Sequence, residues 1–436
     1  MNPYEIPYHK VVSSEEERRI EELALANGHE ARLMNQKAGE QVAFAVDRYA
    51  KKHRHPLIVH CLIGKGNNGK DGIAAMQTLK KLGYETFEGL SHLKRGGILL
   101  DALYGIGFHG EILGDEAQQV LIANGSGLPI LSVDIPSGVY ANTGYVSVFH
   151  IQATHCIAIG TYKLGHMVGA GYQSYKTIEL VDFGLGKGYM EKMEELCRVV
   201  NLSALVEPEM PKVVHKYDRG YVGVIAGSIG MEGAAYMCAK AAHRAGAGMV
   251  RLFCDDDFQL PIVEAVFSKQ TIEDFRLWAP KLDAIVIGPG LSEEKKEFVN
   301  EVFDYLCDHP KPLIVDAAAI GIYVHRLKKP FAIVTPNGGE MRFLRNSRKE
   351  DFVLFEKGAP TWIFDPKEAK PYVILEAEPK LATAGAGDVL GGIMAAYLAR
   401  TNNYMESAVL AAKRLLKAVH ACPQEFPVAT EIIEKI

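Results

Sequence analysis

Twice along this chain, short and uninterrupted apolar runs alternate with longer helical segments, and no other feature restricts the fold as strongly. In the first half the runs are "LIVHCLI" (57–63), "GGILLDAL" (96–103), "PILSVD" (129–134), "THCIAIG" (154–160) and "TIELVDFG" (177–184). In the second half they are "YVGVIAG", "MVRLFC", "DAIVIG", "PLIVDA", "FAIVTP" and "DFVLFEKG", spread over 221–358. Runs this short that lack polar alternation predict parallel strands buried on both faces, with helices above and below the sheet. "PTWIF" and "PYVILEA" (360–377) predict an antiparallel pair at the end of the second series, ahead of two apolar helices within 386–421. Between the two series, 186–211 is charged and carries two prolines near its end. The expected division is therefore a first α/β domain over 1–205 and a second over 206–436.

Charge and composition exclude several functions. The net charge is −5, so there is no electrostatic argument for nucleic acid or an anionic membrane. The seven cysteines are scattered and form no C-x-x-C, as in a reduced intracellular protein. No apolar run approaches membrane-spanning length, and the first residues lack the apolar core of a signal peptide. A cytoplasmic protein acting on small molecules is expected.

Near the N-terminus, Ser14 and Glu17 have the spacing of a helix capping box, with Gly28 as the helix stop. Next, Met34, Ala38, Val42, Ala45 and Tyr49 share one face of a second helix. After the first apolar strand, Gly64, Gly66 and Gly69 spell G-x-G-x-x-G, with Glu85 at a ribose-binding distance, which on its own suggests a dehydrogenase. The same turn also holds Asn67, Asn68 and Asp71, which a pyrophosphate does not require. Asp101 and Asp134 end two further strands, and in an open parallel sheet all three motifs reach the same edge. Asn68, Asp101 and Ser137 offer oxygen donors suited to a hard cation. Asp134 opens a proline-fixed turn and is a candidate acid/base group. In the second half, Gly385, Ala386 and Gly387 precede Asp388 at a helix start. Free N–H groups there favour a phosphate, and Asp388 is placed to act as a base toward a hydroxyl.

The motifs "GKGNNGKDG", "DALYGIGFHGE" and "VDIPSG", with "LMNQKAG" upstream, resemble the NAD(P)H-hydrate epimerase family over 20–185. That resemblance implies a Rossmann-like, three-layer αβα domain. It places the hydrated nucleotide on Asn67, Asn68, Gly69, Lys70 and Asp71, on Gly105, Ile106, Gly107, Phe108, His109, Gly110 and Glu111, and on Asp134. It places K+ on Asn68, Asp101 and Ser137. Two departures stand out: Lys70 replaces a usual glycine, and the stretch between Leu82 and Ile98 is short, which predicts loss of a strand–helix unit.

"HKYDRGYVGVIAGS", "VIGPGL", "VTPNGGE", "EKGAPT" and "TAGAGD", in that order, resemble the ADP- or ATP-dependent NAD(P)H-hydrate dehydratases over about 211–425. This implies a ribokinase-like α/β domain that phosphorylates and expels the ring hydroxyl, with Mg2+ accompanying ADP or ATP. Ala234, Gly290, Asn337 and Asp388 would face the substrate. Lys357, Gly358, Ala359, Pro360, Thr361 and Gly387 would hold the phosphate donor, and ADP is favoured by the fusion. Asn337 stands for a usual histidine, Gly338 for a proline, Ala318 for an aspartate and Tyr217 for a glycine. The segment between "GGEM" and "EKGAP" is shortened. The leading expectation is a bifunctional repair enzyme for hydrated NADH and NADPH, assembled as a homo-oligomer. The alternatives are an epimerase with a degenerate C-terminal binding domain, a ribokinase-like small-molecule kinase, and the dehydrogenase of the glycine fingerprint.

Overall fold

The computed structural model describes residues 6–93, 96–182, 184–255, 262–345 and 351–436. It divides into two compact units, 9–199 and 200–436, and residues 6–8 go with the second. The division at 199/200 lies a few residues before the expected 205. The placement of residues 6–8 in the second unit has no signature in local sequence: Ile6 is buried in the same apolar cluster as Val200 and Tyr372.

The N-terminal unit begins with β1 (Tyr8–Val12), α1 (Ser14–Ala26) and α2 (Ala31–His53), and continues through β2 (Ile58–Ile63) and α3 (Asn67–Lys81). Then come β3 (Glu85–Glu88), β4 (Ile98–Ala102), α4 (Gly114–Gly125), β5 (Ile130–Val133) and β6 (Ala153–Ile159). The short strand β7 (Tyr162–Lys163), α5 (Gly169–Gln173), β8 (Tyr175–Val181) and α6 (Lys187–Glu191) complete it. Six strands form one sheet in the order β3-β2-β4-β5-β6-β8, and every pair is parallel. Val42, Ala45 and Ala75 pack on one face, and Ala117, Val120 and Ala123 on the other, giving the three layers expected. The chain leaves β2 toward β3 on one side and returns to β4 on the other. This switch point opens a crevice at the strands' carboxyl ends.

Local chemistry corrects three expectations. Asn67, Asn68 and Asp71 are not in a loop: they form the first turns of α3, with Gly66 as N-cap. The N-cap of α1 is Ser13, whose side chain accepts from the Glu16 N–H at 3.1 Å, so the capping pair is one residue earlier than Ser14 and Glu17. The short stretch after Leu82 keeps a strand, β3. Gly39 explains the "LMNQKAG" motif: a Cβ there would lie 2.4 Å from that of Ala74, so only glycine lets α2 press this closely on α3.

After β9 (Cys197–Val200), the C-terminal unit contains β10 (Tyr221–Ile225), α7 (Glu232–Arg244), β11 (Met249–Cys254), β12 (Val266–Lys269), α8 (Ile272–Trp278) and β13 (Ala284–Ile287). It continues with α9 (Lys296–Asp308), β14 (Leu313–Val315), α10 (Ala318–Val324), β15 (Ile333–Val334), β16 (Val353–Glu356), β17 (Thr361–Phe364) and β18 (Tyr372–Ile374). Three helices close it: α11 (Ala386–Thr401), α12 (Tyr404–His420) and α13 (Ala429–Ile433). Its strands run β12-β11-β10-β13-β14-β15-β16-β17-β18, parallel up to β16 and antiparallel from β16 to β18. Helices α7, α11 and α12 cover one face, and α8, α9 and α10 the other. Strand β12 has no apolar run behind it; "VFSK" is largely exposed. Part of the shortened segment before β16, 346–350, lies outside the described residues.

Candidate functional site

At the β2/β4 switch point lies a cleft of ≈ 450 Å³. The ends of three strands supply its walls: Asn67, Asn68, Lys70 and Asp71 after β2, Gly105, Ile106, Gly107 and Phe108 after β4, and Asp134 after β5. Gly64 is required where these loops meet, because a Cβ there would fall 1.8 Å from the Leu103 carbonyl oxygen. Gly69 lies below the surface, its missing Cβ leaving room for the Gly64 carbonyl. Of the expected contacts, His109, Gly110 and Glu111 are exposed and do not line the cleft. Glu111 instead accepts from the Ser147 hydroxyl and the Val148 N–H, both at 2.8 Å.

Beneath the cleft, Asp101 is fully buried and accepts from the Ser137 hydroxyl at 2.5 Å, the Ser137 N–H at 3.0 Å and the Ser132 hydroxyl at 2.8 Å. Burial raises its pKa, against those hydrogen bonds. The Tyr104 carbonyl joins the group, accepting from the Asn68 amide at 2.9 Å and the Ser137 hydroxyl at 3.2 Å. Asn68, Asp101 and Ser137 thus converge, as one carboxylate among neutral oxygens. That donor set fits a hard cation of low charge.

Several residues of this cleft went unread in the sequence. Glu17, Arg18 and Glu21 of α1 line it, as does Asn35 of α2, which donates to Asp71 at 2.8 Å. Burial first, then the nearby Asp134 and Glu21 charges, push the Asp71 carboxyl up to about 7. Behind Asp134 stands Lys163, wholly buried on β7, 3.1 Å from the Asp134 carboxylate and 2.6 Å from that of Glu17. Burial alone would lower the Lys163 pKa, but the charges of Asp134 and Glu17 raise it instead. The signal in sequence was faint: a single lysine at the end of an apolar strand.

The C-terminal unit also gathers its polar groups at the carboxyl edge of its sheet. Asp316 follows β14 and Lys357 follows β16; they pair at 2.7 Å, with Asp316 buried. Helix α11 starts from Gly385, in the left-handed region at φ 91°, with no side-chain cap. Asp388 sits in its first turn. Burial, helped by the Asp316 charge and opposed by Lys357, pushes Asp388 up to about 6. A second cleft of ≈ 450 Å³ is lined by Lys357, Gly358, Ala359, Thr361 and Gly387, with Leu381, Leu390 and Leu416 as its apolar part. Pro360, joined to Ala359 by a cis peptide bond, does not line it. Ala234 and Gly290 lie together at the β10/β13 switch point: a Cβ on Gly290 would come 2.8 Å from that of Ala234. Asn337 is otherwise engaged than expected. Its side-chain oxygen accepts from the Gly339 and Glu340 N–H groups at 2.9 and 3.0 Å, while its own N–H donates to Glu340, a reciprocal cap on the following turn.

Two parallel α/β units, each with a cleft at its sheet's carboxyl edge and carboxylates placed beside it, define a two-domain enzyme of the nucleotide-handling class. The family model for NAD(P)H-hydrate dehydratase matches 222–436, and that for the YjeF-related protein N-terminus matches 86–165. The bifunctional NAD(P)H-hydrate repair enzyme of Escherichia coli is 28% identical over 452 residues, covering 91% of this chain and 86% of that protein. The enzyme of the same description from Thermofilum pendens is 28% identical over 417 residues, covering 78% of each. Among solved structures, the Bacillus subtilis ADP/ATP-dependent NAD(P)H-hydrate dehydratase co-crystallised with ATP/Mg2+ is similar at 23% identity and a TM-score of 0.45, over 54% of this chain and 93% of that one. The chain carries both domains of the bifunctional NAD(P)H-hydrate repair enzymes and belongs to that family.

Proposed function

We propose that the N-terminal cleft interconverts the R and S forms of hydrated NADH and NADPH, and that the C-terminal unit dehydrates the S form at the expense of ADP or ATP. The observation that carries this reading is the meeting of Asn67–Asp71, Gly105–Phe108 and Asp134 around one cleft, in a chain that also places Asp388, Lys357 and Asp316 at a second sheet edge. A hydrated nicotinamide bears a hydroxyl on the carbon beside the ring nitrogen. Asp134, on the cleft wall, is the group to move a proton at that centre. At Gly64, Gly105 and Gly107 the cleft wall is backbone, which the nucleotide would meet directly. Asn68, Asp101 and Ser137 would hold K+, which would supply a fixed positive charge under the cleft.

In the C-terminal unit, the substrate would enter over Ala234 and Gly290, with Asp388 as base toward its hydroxyl. Lys357, Gly358, Ala359, Thr361 and Gly387 would hold the nucleotide, and the uncapped N–H groups of α11 suit a phosphate in transit. Mg2+ would arrive with the nucleotide and offset its charge. Asn337, committed to its local cap, would contribute shape rather than charge. Homo-oligomeric assembly and a cytoplasmic site of action belong to the same reading. Among the described residues, no helix is long and apolar enough to cross a membrane.

The test is recovery of NADH from separated R and S hydrates, with ADP and with ATP. Wild type should convert both hydrates to NADH when a nucleotide is present and form no NADH without one. Interconversion without nucleotide-driven recovery would favour the second reading, an epimerase with a non-catalytic C-terminal domain, for which the engaged Asn337 side chain is the structural argument.

A further inference from the structure

Asp134 is held more firmly than a wall residue of an open cleft needs to be. It is not a glycine, yet its backbone lies in the left-handed region at φ 66°; such a conformation persists where surrounding bonds enforce it. Its N–H donates to the Ile157 carbonyl at 2.8 Å. Its carbonyl accepts from His166 Nε2 at 2.9 Å and from the Cys156 thiol at 3.4 Å. The His166 tautomer follows from its partners: the Lys163 N–H donates to Nδ1, so Nε2 carries the proton. Burial then keeps His166 neutral, lowering it to about 4. One imidazole thus ties the backbone of Lys163 to the backbone of Asp134.

The side chains are tied as well. Lys163 Nζ reaches Asp134 Oδ1 at 3.1 Å, Glu17 Oε2 at 2.6 Å, and the carbonyls of Thr161 and Ile159 at 2.9 and 3.2 Å. The Thr161 hydroxyl donates to the same Glu17 oxygen at 3.0 Å. Among the described residues, Asp134 Oδ2 has no hydrogen-bond partner, while the residue lines the cleft. Around it stand Glu17, Arg18 and Glu21 from α1, Lys70 and Asp71 from α3, Cys156 from β6, and His166. Of the cations there, Lys163 is the one in contact with Asp134.

We propose that Lys163, anchored by Glu17, is a positioning residue for the epimerase reaction: it fixes one oxygen of Asp134 so that the other is presented to the substrate. The proposal rests on the functional reading of the N-terminal cleft. Lys163 does not line that cleft and reaches it through Asp134 and Glu17, which do. Its loss should therefore slow turnover and leave binding intact. A cation buried against two carboxylates could instead be a structural tie, and breaking such a tie leaves uncompensated charge.

The experiment separates these roles with two variants, Lys163→Met and the double variant Lys163→Met/Glu17→Gln. The double variant removes the Glu17 charge together with its cation, so the carboxylate left without Lys163 is Asp134, at the cleft wall. R-to-S interconversion is followed at several substrate concentrations, alongside the melting temperature. Lys163→Met should lower kcat at least a hundredfold with KM within threefold, and the double variant should melt within a few degrees of wild type without regaining kcat. Recovery of kcat together with melting temperature in the double variant would overturn the proposal, since Lys163 would then only support the fold. A rise in KM with kcat unchanged would overturn it too. If wild type itself fails to interconvert the epimers, the functional reading falls and this proposal with it. An active wild type beside a fully active double variant removes the proposal alone.

Discussion

Each unit sets a lysine beside an aspartate at the carboxyl edge of a parallel sheet, but the two lysines serve different aspartates. In the N-terminal unit, Lys163 is buried and bonded directly to Asp134, the candidate acid/base group. In the C-terminal unit, Lys357 is bonded to Asp316 instead, and Asp388 has that pair only as a neighbour. One carboxylate is held in place by a cation; the other is left near a second negative charge and is raised by burial. The same residue types therefore yield a tightly fixed group in one unit and, in the other, a group pushed up to about 6. What distinguishes them is which carboxylate the lysine reaches, and only the fold decides that.

The largest effect should come from breaking each site alone. Asp388→Ala should reduce nucleotide-dependent dehydration by about a thousandfold or more while leaving epimerisation within twofold. Asp134→Ala should show the reverse pattern. Separate assays of the two reactions on each variant check this, and a shared loss would dissolve the division of labour.

Lys357→Met is the next test, because it removes the partner of a buried carboxylate. Asp316 is 2% exposed, so an orphaned charge there should destabilise the chain by about 3 kcal/mol. Urea unfolding resolves a change of that size, and ADP affinity should fall along with it.

A smaller effect concerns pH. Asp388 is raised to about 6 and must be ionised to act as a base, so dehydration should rise with pH through that value and level off above it. At pH 5 the rate should be about tenfold below its plateau. A kcat profile at saturating nucleotide, from pH 5 to 8, measures it directly.

The smallest expected effect is on stability at Asp71, raised to about 7 by burial. A folded-state value above the unfolded one means that the unfolded chain gives up this proton first as pH rises. The favourable contribution is complete below about pH 4 and is lost on the way to pH 7. Asp71→Asn mimics the protonated form and should stabilise the chain by about 1 kcal/mol at pH 8, with little change at pH 4. Melting temperatures at the two pH values decide it.

The strands were legible because a strand buried on both faces must be apolar at every position, which only a few residue types satisfy. The first turns of α3 were misread because glycines and asparagines are poor in helix interiors, although a helix N-terminus tolerates them. Strand β12 was missed because an exposed edge strand has no need of an apolar run. At the candidate sites, residues next to a strand end could be found, since parallel strands deliver their ends to one edge. Lys163 and Glu17 could not: they lie far apart in sequence, and only the fold of α1 against β7 joins them. The local cap made by Asn337 went unread for a related reason, because its spacing to Glu340 suits a turn as well as a ligand contact.

The most direct test of two separate sites in one chain is NADH recovery from the pure R hydrate with ADP. Wild type should convert all of it, Asp134→Ala should be limited to the rate of uncatalysed epimerisation, and Asp388→Ala should form NADH at least about a thousandfold more slowly. NADH formed by Asp388→Ala at a rate near that of wild type, or R hydrate consumed as fast by Asp134→Ala as by wild type, would contradict the account.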